Sequence, residues 1–101
     1  MHSSPLPAVD VDGLWVAYAE EVAERLTRLE AALHDLPVAL DDLTRDAHTL
    51  GSSALLVGAD RTARVARELE RALVRGEPVP GLLQELVVLL RAVRPSGPAA
   101  R

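Results

Sequence analysis

Few residues in this chain could do chemistry. Cysteine is absent and the histidines are three, His2, His34 and His48, so thiolate nucleophiles, disulfides and thiolate metal sites are excluded. His2 and His34 have no partners at metal-ligand spacing. His34-Asp35 falls at the end of a helical stretch and suits the helix dipole without any further role. His48 stands apart. Leu40, Leu43, Ala47, Leu50, Ala54 and Val57 recur at threes and fours, the signature of a helix with one apolar stripe. At about 100° per residue, His48 lies roughly 160° around that helix from Leu50. It therefore faces water, on an outer strip shared with Asp41, Thr44, Arg45, Ser52 and Leu55. A neutral imidazole keeps a free nitrogen lone pair near pH 7, because its ordinary pKa is about 6.5. Such a group is a nucleophile that needs no strong base, although most histidines on helix surfaces are only tolerated there. No glycine-rich loop with a lysine offers a nucleotide site, and no second catalytic group is placed near His48.

The elements that must position it follow from the same periodicity. From Asp12 to Leu36, Trp15, Ala19, Val22, Leu26, Leu29, Leu33 and Leu36 form an apolar stripe, with Asp12 as N-cap. Glu21 to Arg25 and Glu24 to Arg28 stand at the four-residue spacing that favours ion pairs on the wet face. Trp15 and Tyr18 read as core or edge packing. Pro37 breaks this helix, and Gly58 ends the second one. Asp60 caps a third helix with Thr62, Val65, Ala66, Leu69, Ala72 and Leu73 buried, ending at Gly76. Prolines 78 and 80 make 77–80 an extended connector. A fourth helix turns Leu82, Leu83, Leu86, Leu89, Leu90 and Val93 inward and ends near Arg94.

Four amphipathic helices on short links bury their stripes together as an all-α, antiparallel, up-down-up-down four-helix bundle. The expected organisation is a flexible segment at 1–11, the bundle at 12–94 and a flexible tail at 95–101. With 101 residues one core is the limit. The apolar runs fall short of the roughly 18 residues that span a bilayer, and residues 1–10 do not form a secretory signal, so a cytoplasmic protein is expected. The net charge of −4 argues against nucleic-acid binding. All eleven basic residues are arginines. Five of them, Arg61, Arg64, Arg67, Arg71 and Arg75, fall on the third helix, mostly on one side. With Glu68 four residues after Arg64, this face reads as solvated and internally paired.

From Ala47 the chain reads AHTLGSSALLVGA, followed by Leu69-Glu70 one helix later. This resembles the histidine-containing phosphotransfer (HPt) domain family, of the stand-alone type. The family pattern is a histidine, a free position, an apolar residue, a lysine, a glycine, two small residues, two free positions, an apolar residue and Gly-Ala. Here Leu50, Ser53, Ala54, Val57 and Gly58-Ala59 keep the spacing from His48. Two positions depart: Gly51 stands where the lysine is usual, and Ser52 where the glycine is. Arg45, one turn earlier, could partly replace the lost charge, and Ser52 stays small and could bond a phosphoryl oxygen.

The resemblance implies a phosphocarrier of a two-component phosphorelay, not an enzyme and without kinase activity of its own. Nε2 of His48 would take a phosphoryl group from an aspartyl phosphate on a receiver domain and hand it to another. The expected contacts of the phosphoryl group or partner are Thr44, Arg45, Gly51, Ser52 and Leu55. The expected partners are a response-regulator receiver domain, a hybrid histidine kinase, or both, with no nucleic acid, no membrane and the chain as a monomer. No cofactor is expected on the chain itself; Mg²⁺ is expected on the receiver. Two other readings stay open on the sequence: a transfer-inactive HPt-like module that sequesters a receiver or kinase, and a structural bundle that dimerises through a helix face.

Overall fold

The computed structural model describes residues 11–35 and 37–95. It contains four helices, α1 (Val11–Leu33), α2 (Leu40–Leu56), α3 (Asp60–Arg75) and α4 (Pro80–Arg91), and no strand among the described residues. Consecutive helices pack side by side and α1 closes the ring against α4, the antiparallel bundle that the periodicity predicts. The expected flexible segments lie outside the described residues except for Val11, which is helical, and Pro95. Leu36 is outside them as well. Asp12, expected as an N-cap, is inside α1.

The links show how the chain turns. After α2, Gly58 adopts φ +80°. The Ala59 N–H then donates to the Ala54 carbonyl at 2.8 Å, and the Gly58 N–H donates to Leu55 at 3.2 Å. This paired closure needs a left-handed residue, which glycine adopts without a Cβ penalty. Gly76 ends α3 in the same way at φ +70°, with the Glu77 N–H on the Ala72 carbonyl at 2.9 Å. Asp35 takes the left-handed role after α1, at φ +58°. Asp60 is not the cap expected of it. It is the first residue of α3, and Ala59 precedes it with no side-chain cap bond. Pro80 opens α4, where its missing N–H costs nothing.

The core is centred on Leu29, Leu50, Leu69, Leu86, Val87 and Leu90, all fully buried. Each leucine of this kind contributes about 1.5–3 kcal/mol of burial. Val87 was not expected inside, and Leu40, expected inside, is 58% exposed. The two differences have separate causes: α4 packs against both α3 and α1 and so buries more than one stripe, whereas Leu40 is the first residue of α2. Trp15 is half-buried and donates from Nε1 to the Arg94 carbonyl at 2.6 Å, tying the start of α1 to the chain beyond α4. Glu30–Arg91 and Arg61–Glu85 join α4 to α1 and α3 at 2.8 and 3.0 Å.

Candidate functional site around His48

On the helical wheel of α2, Leu50 marks the centre of the bundle and the two flanks face different neighbours. Asp46 and Ser53 lie roughly 40–60° to one side, and that side meets α1. The Asp46 carboxylate, 2% exposed, accepts two hydrogen bonds from Arg28, Nε at 2.7 Å and Nη2 at 2.8 Å. These bonds, and then the carboxylate's charge, push the Arg28 guanidinium still further up. Arg25 Nε approaches Asp46 to 3.5 Å. The Ser53 hydroxyl donates to Glu21 at 2.5 Å. The ion pairs expected within α1, Glu21–Arg25 and Glu24–Arg28, do not form: Glu21, Arg25 and Arg28 turn to α2, and Glu24 stands 3.8 Å from Arg25 Nη1. A buried carboxylate collects cations more strongly than exposed helix neighbours do, because less water screens it.

The other flank meets α3 and carries the candidate chemistry. Gly51 lies roughly 100° from Leu50 and His48 roughly 160°. Gly51, expected among the contacts of a phosphoryl group or partner, is instead buried against α3. A Cβ there would meet Arg67 Cγ at 3.3 Å, Ala66 Cβ at 3.6 Å and the Ala63 carbonyl oxygen at 3.7 Å. Small residues on both sides, Gly51 against Ala63 and Ala66, let these two helices approach closely. One helical turn away, the closeness lets Glu70 reach His48. The Glu70 carboxylate stands 3.0 and 3.2 Å from Nδ1 of the imidazole, whose side chain is 67% exposed. A carboxylate only accepts hydrogen bonds, so Nδ1 carries the proton. In the neutral ring the lone pair is therefore on Nε2, on the side away from Glu70.

His48 opens onto a pocket of about 420 Å³, lined further by Ser52 from α2 and by Arg67, Glu70, Arg71, Val74 and Arg75 from α3. Of the residues expected around the histidine, only Ser52 lines it. Leu55 is on the same outer side and 49% exposed. The Thr44 hydroxyl donates to the Leu40 carbonyl of its own helix at 2.9 Å, and Arg45 pairs with Asp42 at 3.4 Å. The third-helix arginines differ from expectation. Arg61 reaches α4, no Arg64–Glu68 pair forms among the described residues, and Arg67, Arg71 and Arg75 share the pocket with His48. Their signal was present in the sequence as the four-residue spacing of Arg67, Arg71 and Arg75.

A family model described as Hpt domain matches residues 13–94, nearly the whole described bundle. The chain belongs to the Hpt domain family. No curated protein and no solved structure matches it. Hpt domains serve phosphotransfer in two-component systems, as phosphocarriers rather than enzymes, and they meet receiver domains or kinases. Among the described residues of this Hpt domain no helix is long and apolar enough to cross a membrane.

Proposed function

We propose that this Hpt domain relays a phosphoryl group through Nε2 of His48 between receiver domains of a two-component phosphorelay. The observation that supports this reading is the Glu70 contact. By holding the proton on Nδ1, it leaves the Nε2 lone pair exposed to solvent and free to attack. In the step, the Nε2 lone pair forms a bond to phosphorus while the P–O bond to the receiver aspartate breaks, and the aspartate oxygen keeps the electron pair. The ring, still protonated at Nδ1, becomes cationic beside the Glu70 carboxylate, which stabilises it. The Mg²⁺ and the acid cluster that assist transfer belong to the receiver. Thr44, Arg45, Ser52 and Leu55 form the centre of the partner contact, with Leu55 as an apolar anchor. In this reading the chain works as a cytoplasmic monomer.

The test incubates the protein with phosphorylated receivers and follows acid-labile, base-stable phosphate on it. Wild type gains the label and His48→Gln does not. Equal labelling of His48→Gln, or no label from any receiver, refutes the reading. A tight receiver complex without transfer identifies a sequestering module instead.

A further inference from the structure

A phosphoryl group near neutral pH carries close to two negative charges, and the helix that bears His48 has no free cation beside it. Position 51 is glycine, and Arg45 is engaged with Asp42. The cations are on α3. Arg67, Arg71 and Arg75 follow one another at four-residue spacing, line the same pocket as His48, and have no carboxylate partner among the described residues. Of the two acids between them in sequence, Glu70 is committed to His48 Nδ1, and Glu68 lines the adjoining groove with Arg64, Arg67 and Arg71. Like charges one turn apart on a helix repel each other, so the arrangement is stabilised by an anion that fits between them. Gly51 has a part in this. With the Arg67 Cγ only 3.3 Å from where a Cβ would stand, its bare backbone gives the Arg67 stem a place against α2, at the wall it shares with Ser52.

We infer that Arg67 and Arg71, with Arg75 one turn further, form an oxyanion seat for the phosphoryl group on His48 Nε2, so that the stabilising cation is supplied by α3. The inference rests on His48 being phosphorylated as proposed above. Charges then balance across the site: the imidazolium faces Glu70, and the phosphoryl oxygens face the arginines. Guanidinium groups suit this task, since their planar N–H forks match phosphoryl oxygens two at a time. Glycine at position 51 in this account leaves room for the Arg67 stem and is not merely a missing lysine.

The test labels the full chain with phosphoramidate, a small phosphodonor that needs no receiver, and titrates the phosphohistidine by ³¹P NMR. The seat favours the dianion, so the phosphoryl group of the wild type ionises about 0.5–1 pH unit lower than that of Arg67→Gln/Arg71→Gln. The difference shrinks as added salt shortens the screening length from about 10 Å at 0.1 M to about 3 Å at 1 M. Arg61→Gln, which removes an arginine paired with Glu85 away from the pocket, leaves the titration unchanged. Thermal melts of the variants establish that the bundle is intact. Equal titration of wild type and double variant overturns the seat, as does an equal shift from Arg61→Gln or failure of phosphoramidate to label His48. If the labelled protein shows the shift but exchanges with no receiver, the seat stands and the relay reading falls. Exchange without the shift has the opposite meaning.

Discussion

Tyr18 gives the sharpest quantitative expectation, because no other side chain titrates in its pH range. It is 3% exposed, packs on Trp15 with ring centroids 5.3 Å apart, and its hydroxyl has no hydrogen-bond partner among the described residues. Burial pushes the phenol up to about 12 from its ordinary 10.0; the nearby Thr62, outside hydrogen-bonding geometry, pulls it slightly down, and the Glu21 charge adds to the rise. The unfolded chain therefore loses this proton at about pH 10, while the folded chain keeps it until about pH 12. Between those values the folded state holds a proton that the unfolded state has released, so rising pH favours unfolding. One proton over about two pH units, at about 1.36 kcal/mol each, removes roughly 2–3 kcal/mol of stability. That is a large part of the 5–15 kcal/mol typical of a domain. The chain has no lysine and no cysteine, and Tyr18 is its single tyrosine, so the window between the terminal amine and the arginines belongs to this group alone. Urea unfolding read by the fluorescence of Trp15, the single tryptophan, should show the midpoint falling by about 1–2 M across the window. In Tyr18→Phe it should stay level. At neutral pH the variant should be more stable by about 1 kcal/mol, because it removes an unpaired buried hydroxyl. Parallel midpoints for wild type and Tyr18→Phe, or tyrosinate absorbance rising near pH 10 in the folded protein, would refute the reasoning.

Three further outcomes are expected. Asp46→Asn removes the buried charge that gathers Arg25 and Arg28 and should cost about 1–3 kcal/mol, lowering the melting temperature by about 4–8 °C for each kcal/mol; an unchanged melt would mean that the α1–α2 contact is energetically idle. Gly51→Ala should stabilise the fold by about 1 kcal/mol through helix propensity, provided the flexible Arg67 stem yields a few tenths of an ångström. A loss of stability instead would show that the stem is held. Glu70→Ala should move the neutral His48 proton from Nδ1 towards Nε2, visible in the ¹⁵N shifts of the ring, and slow phosphoryl uptake roughly tenfold, equivalent to about 1.4 kcal/mol. The same tautomer in both proteins would rule out Glu70 as the group that orients the ring.

Periodicity alone determined a good deal. The stripes of α2 and α3 dictate the helices, Gly58 and Gly76 dictate their ends, and the roughly 160° between Leu50 and His48 makes the histidine face water whatever surrounds it. All of these depend on residues within a few positions of one another, where the geometry of a single helix settles the outcome. The wheel leaves open which helix lies on which flank, because that depends on how four stripes are buried jointly. For that reason Asp46, on the α1 side, and Gly51, on the α3 side, could not be placed from α2 alone. Only the tertiary structure brought Glu70 to within 3.0 Å of Nδ1, gave Gly51 a packing role, and set a row of solvent-exposed arginines along the pocket that His48 shares.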